Sequence, residues 1–391
     1  MRYEFATAVR IIVGPGSSAE LPELAAQIGS RAMLVHGQRA LERGGPVAAL
    51  IQQFDRHGLA VGTFTVDGEP RLAMVEMGAE QARALVCDMI IGIGGGSVLD
   101  AAKAIAGLAA NHGGVLDYLE VVGAGKPLEQ PALPIIAVPT TAGTGSEVTR
   151  NAVIAAPEQH VKASMRHASL LPRLALVDST LTHDLPPEVT ASTGMDALTQ
   201  LLEAYVSRRA QPLTDGLCVE GLARAARALP RAYHQPGDAV AREEMSTASL
   251  FSGLALANAG LGAVHGIAAP LGGAFPVPHG VACAALLPHV TAINIRALQR
   301  SDPDGPALAR YARAADILLG RSGSPDALLS DLVAHVRSLV AELGIPPLRS
   351  FGVTTADVPE LAAKAMHASS TRGNPVTLEQ AEFEEAISAA L

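Results

Sequence analysis

Short apolar segments alternate with longer amphipathic segments through the first 180 residues of the 391-residue chain. The short segments are rich in β-branched residues and predict strands, whereas apolar residues in the longer segments recur with a helical period. This alternation predicts a mostly parallel, doubly wound sheet, because parallel neighbours are normally joined by a helical crossover. The predicted strands cover residues 31–37, 61–66, 86–94, 134–140 and 174–178.

The second half of the chain carries helical patterns and shows no strand signal beyond about residue 185. We therefore expect an α/β domain over residues 1–184 and an all-α domain over residues 185–391. Each is long enough to bury a core of its own. No low-complexity linker separates the two, so we expect them to pack closely with a cleft between them.

Net charge and cysteine content indicate which binding partners and which cellular compartment to expect for this protein. The net charge is −9 without a run of like charges, which argues against a nucleic-acid groove or an anionic membrane surface. Cys87, Cys218 and Cys283 form no metal or redox motif and suit a reducing compartment. The N-terminal residues lack the pattern of a signal peptide, so a cytoplasmic location is expected.

Residues 245–295 contain no Asp, Glu, Lys or Arg. A membrane-spanning helix needs about 20 consecutive strongly apolar residues. This stretch is instead rich in Gly and Ala and is interrupted by four prolines. We interpret it as two or more buried helices of a soluble domain.

The sequence IIGIGGGSVLDAAKA, residues 90–104, joins a predicted strand to a predicted helix through consecutive glycines. Gly94, Gly95 and Gly96 let a ligand approach the backbone, and Ser97 is placed to cap the helix, with Asp100 three residues later. The free amides and dipole of a helix N-terminus favour a diphosphate. A tight turn without a ligand is the alternative, and the pattern differs from the usual G-x-G-x-x-G fingerprint.

A second loop, VPTTAGTGSEVT at residues 138–149, also follows a predicted strand. It offers hydroxyl groups and free amides from Thr140, Thr141, Thr144 and Ser146. Alone it could be an ordinary polar loop. Since the carboxyl ends of parallel strands meet at one edge of a sheet, the two loops together predict a nucleotide in the crevice there.

Four residues of the second half have the spacing of a metal site. Asp196 and Gln200 are four residues apart and share one face of a predicted helix. His265 and His279 are separated by a Pro- and Gly-containing turn, so each could project from a different helix. Carboxylate and imidazole are common ligands of divalent metals. A capped core helix and two core histidines explain the spacing equally well.

Taken together, these segments resemble the iron-containing (group III) alcohol dehydrogenase family over essentially the whole chain. The segments that carry the resemblance are IIVGPGSSAEL, GGGSVLDAAKA, PTTAGTGSEVT, LVDSTLTHDLPP, GMDAL, VHGIAAPLGGAF and PHGVACAALLPHV. The resemblance implies a dinucleotide-binding α/β domain, a helical metal-binding and catalytic domain, and a homodimer or larger oligomer. It implies an NAD(P)-dependent oxidoreductase acting on CH–OH donors, with Fe²⁺ or Zn²⁺, and a small alcohol, aldehyde or ketone as substrate.

The resemblance also assigns roles to individual residues. Gly94 to Ser97 would hold the cofactor pyrophosphate, and Lys162 would reach the cofactor ribose. The residues that would line the nicotinamide side are Thr140, Thr141, Thr144 and Ser146. Asp196, His265 and His279 match three of the four ligands of the catalytic metal.

The chain departs from the family pattern at two positions. Gln200 stands where the family has its fourth ligand, a histidine, and we expect the amide oxygen to contact the metal directly or through water. An amide oxygen binds borderline-soft ions such as Zn²⁺ and Fe²⁺ less well than an imidazole does. Ala269 stands where many members have a histidine near the nicotinamide, so proton transfer would fall to water or a ribose hydroxyl.

The end of the second strand bears on the choice of cofactor. Many NAD-using members place Asp there, where it binds the adenosine ribose. This chain has Gly37, followed by Gln38 and Arg39. An arginine without a competing carboxylate favours a 2′-phosphate, so we expect NADP rather than NAD, unless Arg39 simply faces solvent.

Two other functions stay open. A metal-free reductase of the related maleylacetate reductase type would use cationic groups, such as Arg150 and Arg166, to hold a carboxylated substrate. A catalytically silent nucleotide-binding homologue would keep the dinucleotide loop and lose its metal site. Retention of Asp196 argues against the first, because a metal-free site needs no acid among apolar residues.

Overall fold

The computed structural model describes residues 2–38, 46–159 and 161–391. The chain forms two compact units, Ala6–Asp184 and Leu185–Leu391, and the N-terminal segment up to Phe5 belongs to the second. This assignment of the first residues differs from the expected α/β domain over 1–184. One contact of this segment is the hydrogen bond that the Gln211 amide donates to the Glu4 carbonyl.

The first unit is an α/β structure built on a six-stranded parallel sheet. The strand order is β1-β8-β5-β4-β2-β3, and every neighbouring pair is parallel. The strands are β1 (Arg10–Val13), β2 (Arg31–Gly37), β3 (Ala60–Val66), β4 (Met89–Gly94), β5 (Ile135–Pro139), β6 (Asn151–Ala156), β7 (Val161–Arg166) and β8 (Leu174–Val177). The helices of this unit are α1 (Leu21–Ala26), α2 (Pro46–Arg56), α3 (Leu72–Ala84), α4 (Gly96–Ala109) and α5 (Val115–Tyr118). The predicted fold class is confirmed.

Strand β4 lies at the centre of the sheet and is buried on both faces. Each of its residues is buried, as expected of a parallel strand covered by helices on both sides. The strand begins at Met89 and not at residue 86 as predicted. Val86 and Cys87 instead donate to Arg83 and Ala82 carbonyls and end α3.

Three strands were not anticipated from the sequence. The edge strand β1 has only four residues, two of which are exposed. Strands β6 and β7 form a separate antiparallel pair. Their alanine content gives them a weak strand signal, since alanine is depleted in strands.

The second unit is helical, as predicted. Its helices are α6 (Pro187–Val206), α7 (Pro212–His234), α8 (Ala239–Ala259), α9 (Ala263–Ala274), α10 (His279–Ser301), α11 (Pro306–Leu319), α12 (Pro325–Glu342), α13 (Val358–His367) and α14 (Gln380–Ala389). Helices α6, α9 and α10 carry the polar residues that the sequence singled out.

The uncharged residues 245–295 form parts of α8 and α10 and the whole of α9. By length and composition alone α10 could cross a membrane, and α8 with α9 could do so as a pair bent by 98°. The qualifying window of α10 is 83 % buried within the fold, a burial that the core helix of a soluble protein also shows.

Candidate functional sites

The glycine loop lies where β4 passes into α4. Gly95 is the N-cap of the helix and Gly96 its first residue, so Ser97 lies inside the first turn and does not cap it, contrary to expectation. A Cβ on Gly94 would lie 2.6 Å from the Val98 side chain, and one on Gly96 would lie 2.7 Å from Thr144 Cγ2. The loop therefore needs glycines for close packing, and its open helix N-terminus still offers amides to an anion.

The second loop runs beside the first, as predicted. Strands β4 and β5 are neighbours in register, with Gly94 opposite Pro139, and the Thr140 amide donates to the Gly94 carbonyl at 3.0 Å. Thr141 packs against Gly95 and Thr144 against Gly96. The structure thus brings the two predicted cofactor loops together at the carboxyl edge of the sheet.

A buried lysine ties these loops to each other, and sequence reasoning overlooked it. Lys103 Nζ donates to Ser146 Oγ at 2.6 Å and lies 3.1 Å from Asp100 Oδ1. Ser146 Oγ in turn donates to Asp100 at 2.6 Å, and the Val153 amide donates to the other carboxylate oxygen at 3.0 Å. Asp100 and Ser146 therefore position the loops through bonds within the protein. The signal was present as a lysine three residues after Asp100, which puts both on one helical face.

Glu147 lies beside this network and is buried, with 2 % of its surface exposed. Burial raises the pKa of its carboxyl to about 7, although its own backbone amide and the Lys103 charge act in the opposite direction.

The remaining predicted cofactor residues lie at other places in the α/β unit. Lys162 is on β7, and its ammonium pairs with Glu69 at 3.1 Å. Gly37 ends β2, and among the described residues a Cβ there would meet only Val98 Cγ2, at 3.8 Å. Arg39 lies outside the described residues.

The predicted metal ligands of the helical unit converge on one point. Asp196 Oδ1 of α6 lies 3.2 Å from His265 Nε2 of α9 and 3.7 Å from His279 Nε2 at the start of α10. Cys283, four residues after His279 on α10, completes the cluster: its Sγ lies 3.6 Å and 3.7 Å from the same two nitrogens. All four donor atoms lie within 4.8 Å of one another.

Gln200 lies beside this cluster with both ends of its amide engaged. Its Nε2 donates to Asp196 Oδ2 at 3.1 Å, and its Oε1 accepts from Ser252 Oγ of α8 at 2.8 Å. The opposite orientation would turn the amide oxygen toward a carboxylate oxygen, which repels it. Coordination of a metal by Gln200 stays a prediction. The structure shows its nitrogen holding Asp196.

Glu203 fixes the ring of His265 from the far side. Glu203 Oε2 lies 2.6 Å from His265 Nδ1, and Oε1 accepts from the Val264 amide at 2.7 Å. Because a carboxylate only accepts, Nδ1 donates this hydrogen bond, which leaves Nε2 as the ring nitrogen that would give up its proton to bind a metal. Glu203 follows Asp196 by seven residues, which is the same face of α6, so the spacing could have identified it.

Neighbouring charges and hydrogen bonds shift the pKa values of Asp196, His265 and His279. Burial opposes ionisation of Asp196, yet the charge of His279 and the hydrogen bond from His265 hold its pKa below the usual range. Burial also lowers the pKa of His265, but the Cys283 charge and the hydrogen bonds that the ring donates to Asp196 and Glu203 outweigh it and leave this pKa well above 6.5. The Cys283 charge raises the pKa of His279 to about 9. The negative charges of Asp196 and Cys283 thus favour positive charge at this point, either as protonated histidines or as a bound divalent cation.

The donor set fits a transition metal. One carboxylate oxygen, two imidazole nitrogens and a thiol converge on a point where Asp196, His265 and Cys283 are at least 95 % buried. Such mixed sets suit Zn²⁺ and its neighbours rather than Mg²⁺. His279 is the accessible member, with 38 % of its side chain exposed. The cluster is therefore most exposed to solvent at His279.

Comparison with known proteins agrees with both sites. Residues 8–179 match the family model "Iron-containing alcohol dehydrogenase", and residues 190–391 match "Fe-containing alcohol dehydrogenase family, C-terminal". The chain belongs to the iron-containing alcohol dehydrogenase family. The resemblance expected from the motifs is confirmed.

Relatives with known names cover nearly the whole chain. The probable alcohol dehydrogenase EutG of Escherichia coli (strain K12) is 37 % identical over 369 residues, which is 94 % of this chain and 89 % of that protein. The NAD-dependent methanol dehydrogenase of Bacillus methanolicus is 34 % identical over 93 % of each chain. The crystal structure of a 1,3-propanediol oxidoreductase has a TM-score of 0.91 and 33 % identity, with 100 % of both chains covered.

These relatives are oxidoreductases that act on CH–OH donors, which confirms the predicted enzyme class. In this family member, the α/β unit carries the paired loops and the helical unit carries the polar cluster.

Proposed function

We propose that the protein transfers a hydride reversibly between NAD(P)H and a small aldehyde or ketone, assisted by a divalent metal. The observation that carries this proposal is the convergence of three side chains from three different helices: Asp196 Oδ1 lies 3.2 Å from His265 Nε2 and 3.7 Å from His279 Nε2. A buried carboxylate is costly unless positive charge is beside it, and a divalent cation held by the same three side chains would supply that charge.

Each side chain of the site has a definite task in this reaction. Asp196 contributes negative charge and is held by Gln200, while Glu203 keeps His265 in the tautomer that can bind a metal. When bound, the metal supplies Lewis-acid polarisation of the carbonyl and the nicotinamide supplies the hydride. Ala269, half-buried on α9, offers no titratable group, so water or a ribose hydroxyl delivers the proton.

The paired loops of the α/β unit would hold the dinucleotide. Gly95 and the first turn of α4 would receive the pyrophosphate, and Thr140, Thr141 and Thr144 would line the nicotinamide side. We propose NADP as the preferred cofactor, supported by Gly37 at the position where a carboxylate would repel a 2′-phosphate. A homodimer in the cytoplasm remains a prediction of the sequence.

The test is an assay of NADH and NADPH oxidation over a panel of aldehydes and ketones. It is run with the protein as purified, after chelator treatment, and after addition of Fe²⁺, Zn²⁺, Mn²⁺ or Mg²⁺. We expect activity to fall with chelator and to return with metal. Activity that survives the chelator without stoichiometric metal would favour the maleylacetate reductase type, and cofactor binding without turnover of any carbonyl would favour a silent homologue.

The metal-free alternative receives no support from its candidate cations. Arg166 is exposed and lies 3.5 Å from Glu120, with which it forms a surface ion pair. Arg150 is also exposed.

A further inference from the structure

We propose that Cys283 is the fourth protein ligand of the metal centre and that the centre prefers Zn²⁺. The inference rests on the proposed function, because it concerns the ligands of the same metal. It changes the expectation drawn from Gln200, which was that an amide oxygen at the fourth ligand position would bind Zn²⁺ and Fe²⁺ less well than an imidazole.

Four of the six distances between donor atoms are close to those of a tetrahedral centre. Bonds of about 2.0–2.1 Å to oxygen and nitrogen and about 2.3 Å to sulfur imply edges of about 3.4 Å between O and N and about 3.6 Å between N and S. Asp196 Oδ1 lies 3.2 Å and 3.7 Å from the two imidazole nitrogens. Cys283 Sγ lies 3.6 Å and 3.7 Å from them.

The position of Cys283 on α10 explains why its thiol joins the cluster. His279 is the first residue of the helix and Cys283 lies one turn later, so both side chains occupy one face. The thiol is fully buried and has polar neighbours, whereas a buried cysteine of a core usually packs against apolar atoms. Cys218 is such a core residue: burial raises the pKa of its thiol far above the ordinary value.

Gln200 does not occupy the fourth ligand position of the candidate metal centre in this structure. Helix α6 offers Asp196 and Gln200 with the same four-residue spacing, but the amide oxygen of Gln200 accepts from Ser252 and its nitrogen donates to Asp196. Coordination through Gln200 would require both bonds to break. Cys283 needs no such rearrangement to present its sulfur.

The charge balance and softness of this donor set favour zinc. As the metal–sulfur bond forms, the Cys283 thiol releases its proton to solvent, and the thiolate with the Asp196 carboxylate neutralises a divalent cation. A thiolate is a soft ligand that selects Zn²⁺ over Mg²⁺ and Mn²⁺. A site with Gln200 in place of the thiolate would retain one positive charge.

The test is the absorption spectrum of the full-length protein loaded with Co²⁺, which reports directly on sulfur coordination. We expect a near-ultraviolet thiolate-to-cobalt charge-transfer band at one Co²⁺ per chain. The band should be absent in Cys283→Ser and present in Gln200→Ala. We also expect the Zn²⁺ affinity of Cys283→Ser to fall by more than the roughly 10–100-fold loss that follows removal of an outer partner of a ligand.

A second variant keeps the test decisive if Cys283→Ser does not fold. The double variant Cys87→Ser/Cys218→Ser leaves Cys283 as the single cysteine of the chain, and the band should persist in it. Stoichiometric Co²⁺ without a charge-transfer band would overturn the role of Cys283 and leave the proposed metal-assisted function standing. A protein that binds neither Co²⁺ nor Zn²⁺ would overturn both.

Discussion

Glu203→Gln tests whether the ring of His265 is held in the tautomer that a metal requires. Both carboxylate oxygens of Glu203 accept, one from His265 Nδ1 at 2.6 Å and one from the Val264 amide at 2.7 Å. Glutamine has the same shape but replaces one acceptor by a donor. Whichever way the new amide turns, one of its two partners now meets a donor.

The size of the expected effect depends on which way the new side-chain amide turns. If the amide nitrogen faces Val264, a buried donor is left unsatisfied and the free energy of unfolding falls by about 1–3 kcal/mol. If it faces His265, the imidazole proton moves to Nε2, which then cannot bind a metal. Loss of such a partner typically lowers metal affinity by about 10–100-fold, or about 1.4–2.7 kcal/mol.

The assay is a Zn²⁺ titration of metal-free protein in competition with a chromophoric chelator, accompanied by urea denaturation. Glu243→Gln, an exposed substitution on α8, is the matched control and should leave Zn²⁺ affinity unchanged. An unaltered Zn²⁺ dissociation constant together with an unaltered free energy of unfolding in Glu203→Gln would refute the argument.

Three further substitutions probe the α/β unit. Gly96→Ala places a Cβ 2.7 Å from Thr144, so we expect a stability loss of about 1–3 kcal/mol and weaker dinucleotide binding by NADPH fluorescence titration. The control is Gly216→Ala on α7 of the helical unit, where a Cβ would meet nothing within 4 Å among the described residues. It should stabilise its helix by about 0.5–1 kcal/mol without changing NADPH affinity, and equal affinities in the two variants would contradict the cofactor assignment. Gly37→Asp should weaken NADPH binding relative to NADH binding by roughly tenfold, which corresponds to about 1.4 kcal/mol of repulsion. Gly37→Asn, the control, should not have this effect. An unchanged ratio of NADPH to NADH affinity in Gly37→Asp would count against a 2′-phosphate at this position. Glu147→Gln should make stability less dependent on pH. The raised pKa of Glu147 favours the protonated carboxyl in the folded state. The wild type therefore loses stability, by about 3 kcal/mol at most, as pH rises from 4.5 to about 7. If the difference in urea midpoint between the wild type and Glu147→Gln stayed the same across that pH range, Glu147 would not titrate as described.

Sequence patterns predicted the sheet well because its central strands are long, β-branched and separated by helical segments. Strands β2, β3 and β5 lie within one residue of their predicted limits. The hairpin of β6 and β7 was missed, since its alanines carry little strand preference and its pairing depends on tertiary contacts. Val86 was taken as strand, but its positive φ of 51° ends a helix, a backbone state that valine rarely adopts.

The candidate metal centre was predicted in part. Asp196, His265 and His279 were identifiable because their residue types are characteristic of metal ligands. Cys283 was overlooked because it forms no motif with another cysteine, although it lies four residues after His279. The orientation of Gln200 could not be read from sequence, since it depends on Ser252, a residue 52 positions away on another helix.

Single-turnover transfer of deuterium tests the central claim most directly. The Zn²⁺-loaded protein is mixed with NADPH or NADH deuterated at the transferable position of the nicotinamide and with a small aldehyde, and the alcohol is analysed by mass spectrometry. Our account predicts one deuterium on the carbinol carbon of each product molecule, with no such product from metal-depleted protein. Alcohol formed without deuterium, or formed equally well by the metal-depleted protein, would contradict metal-assisted hydride transfer.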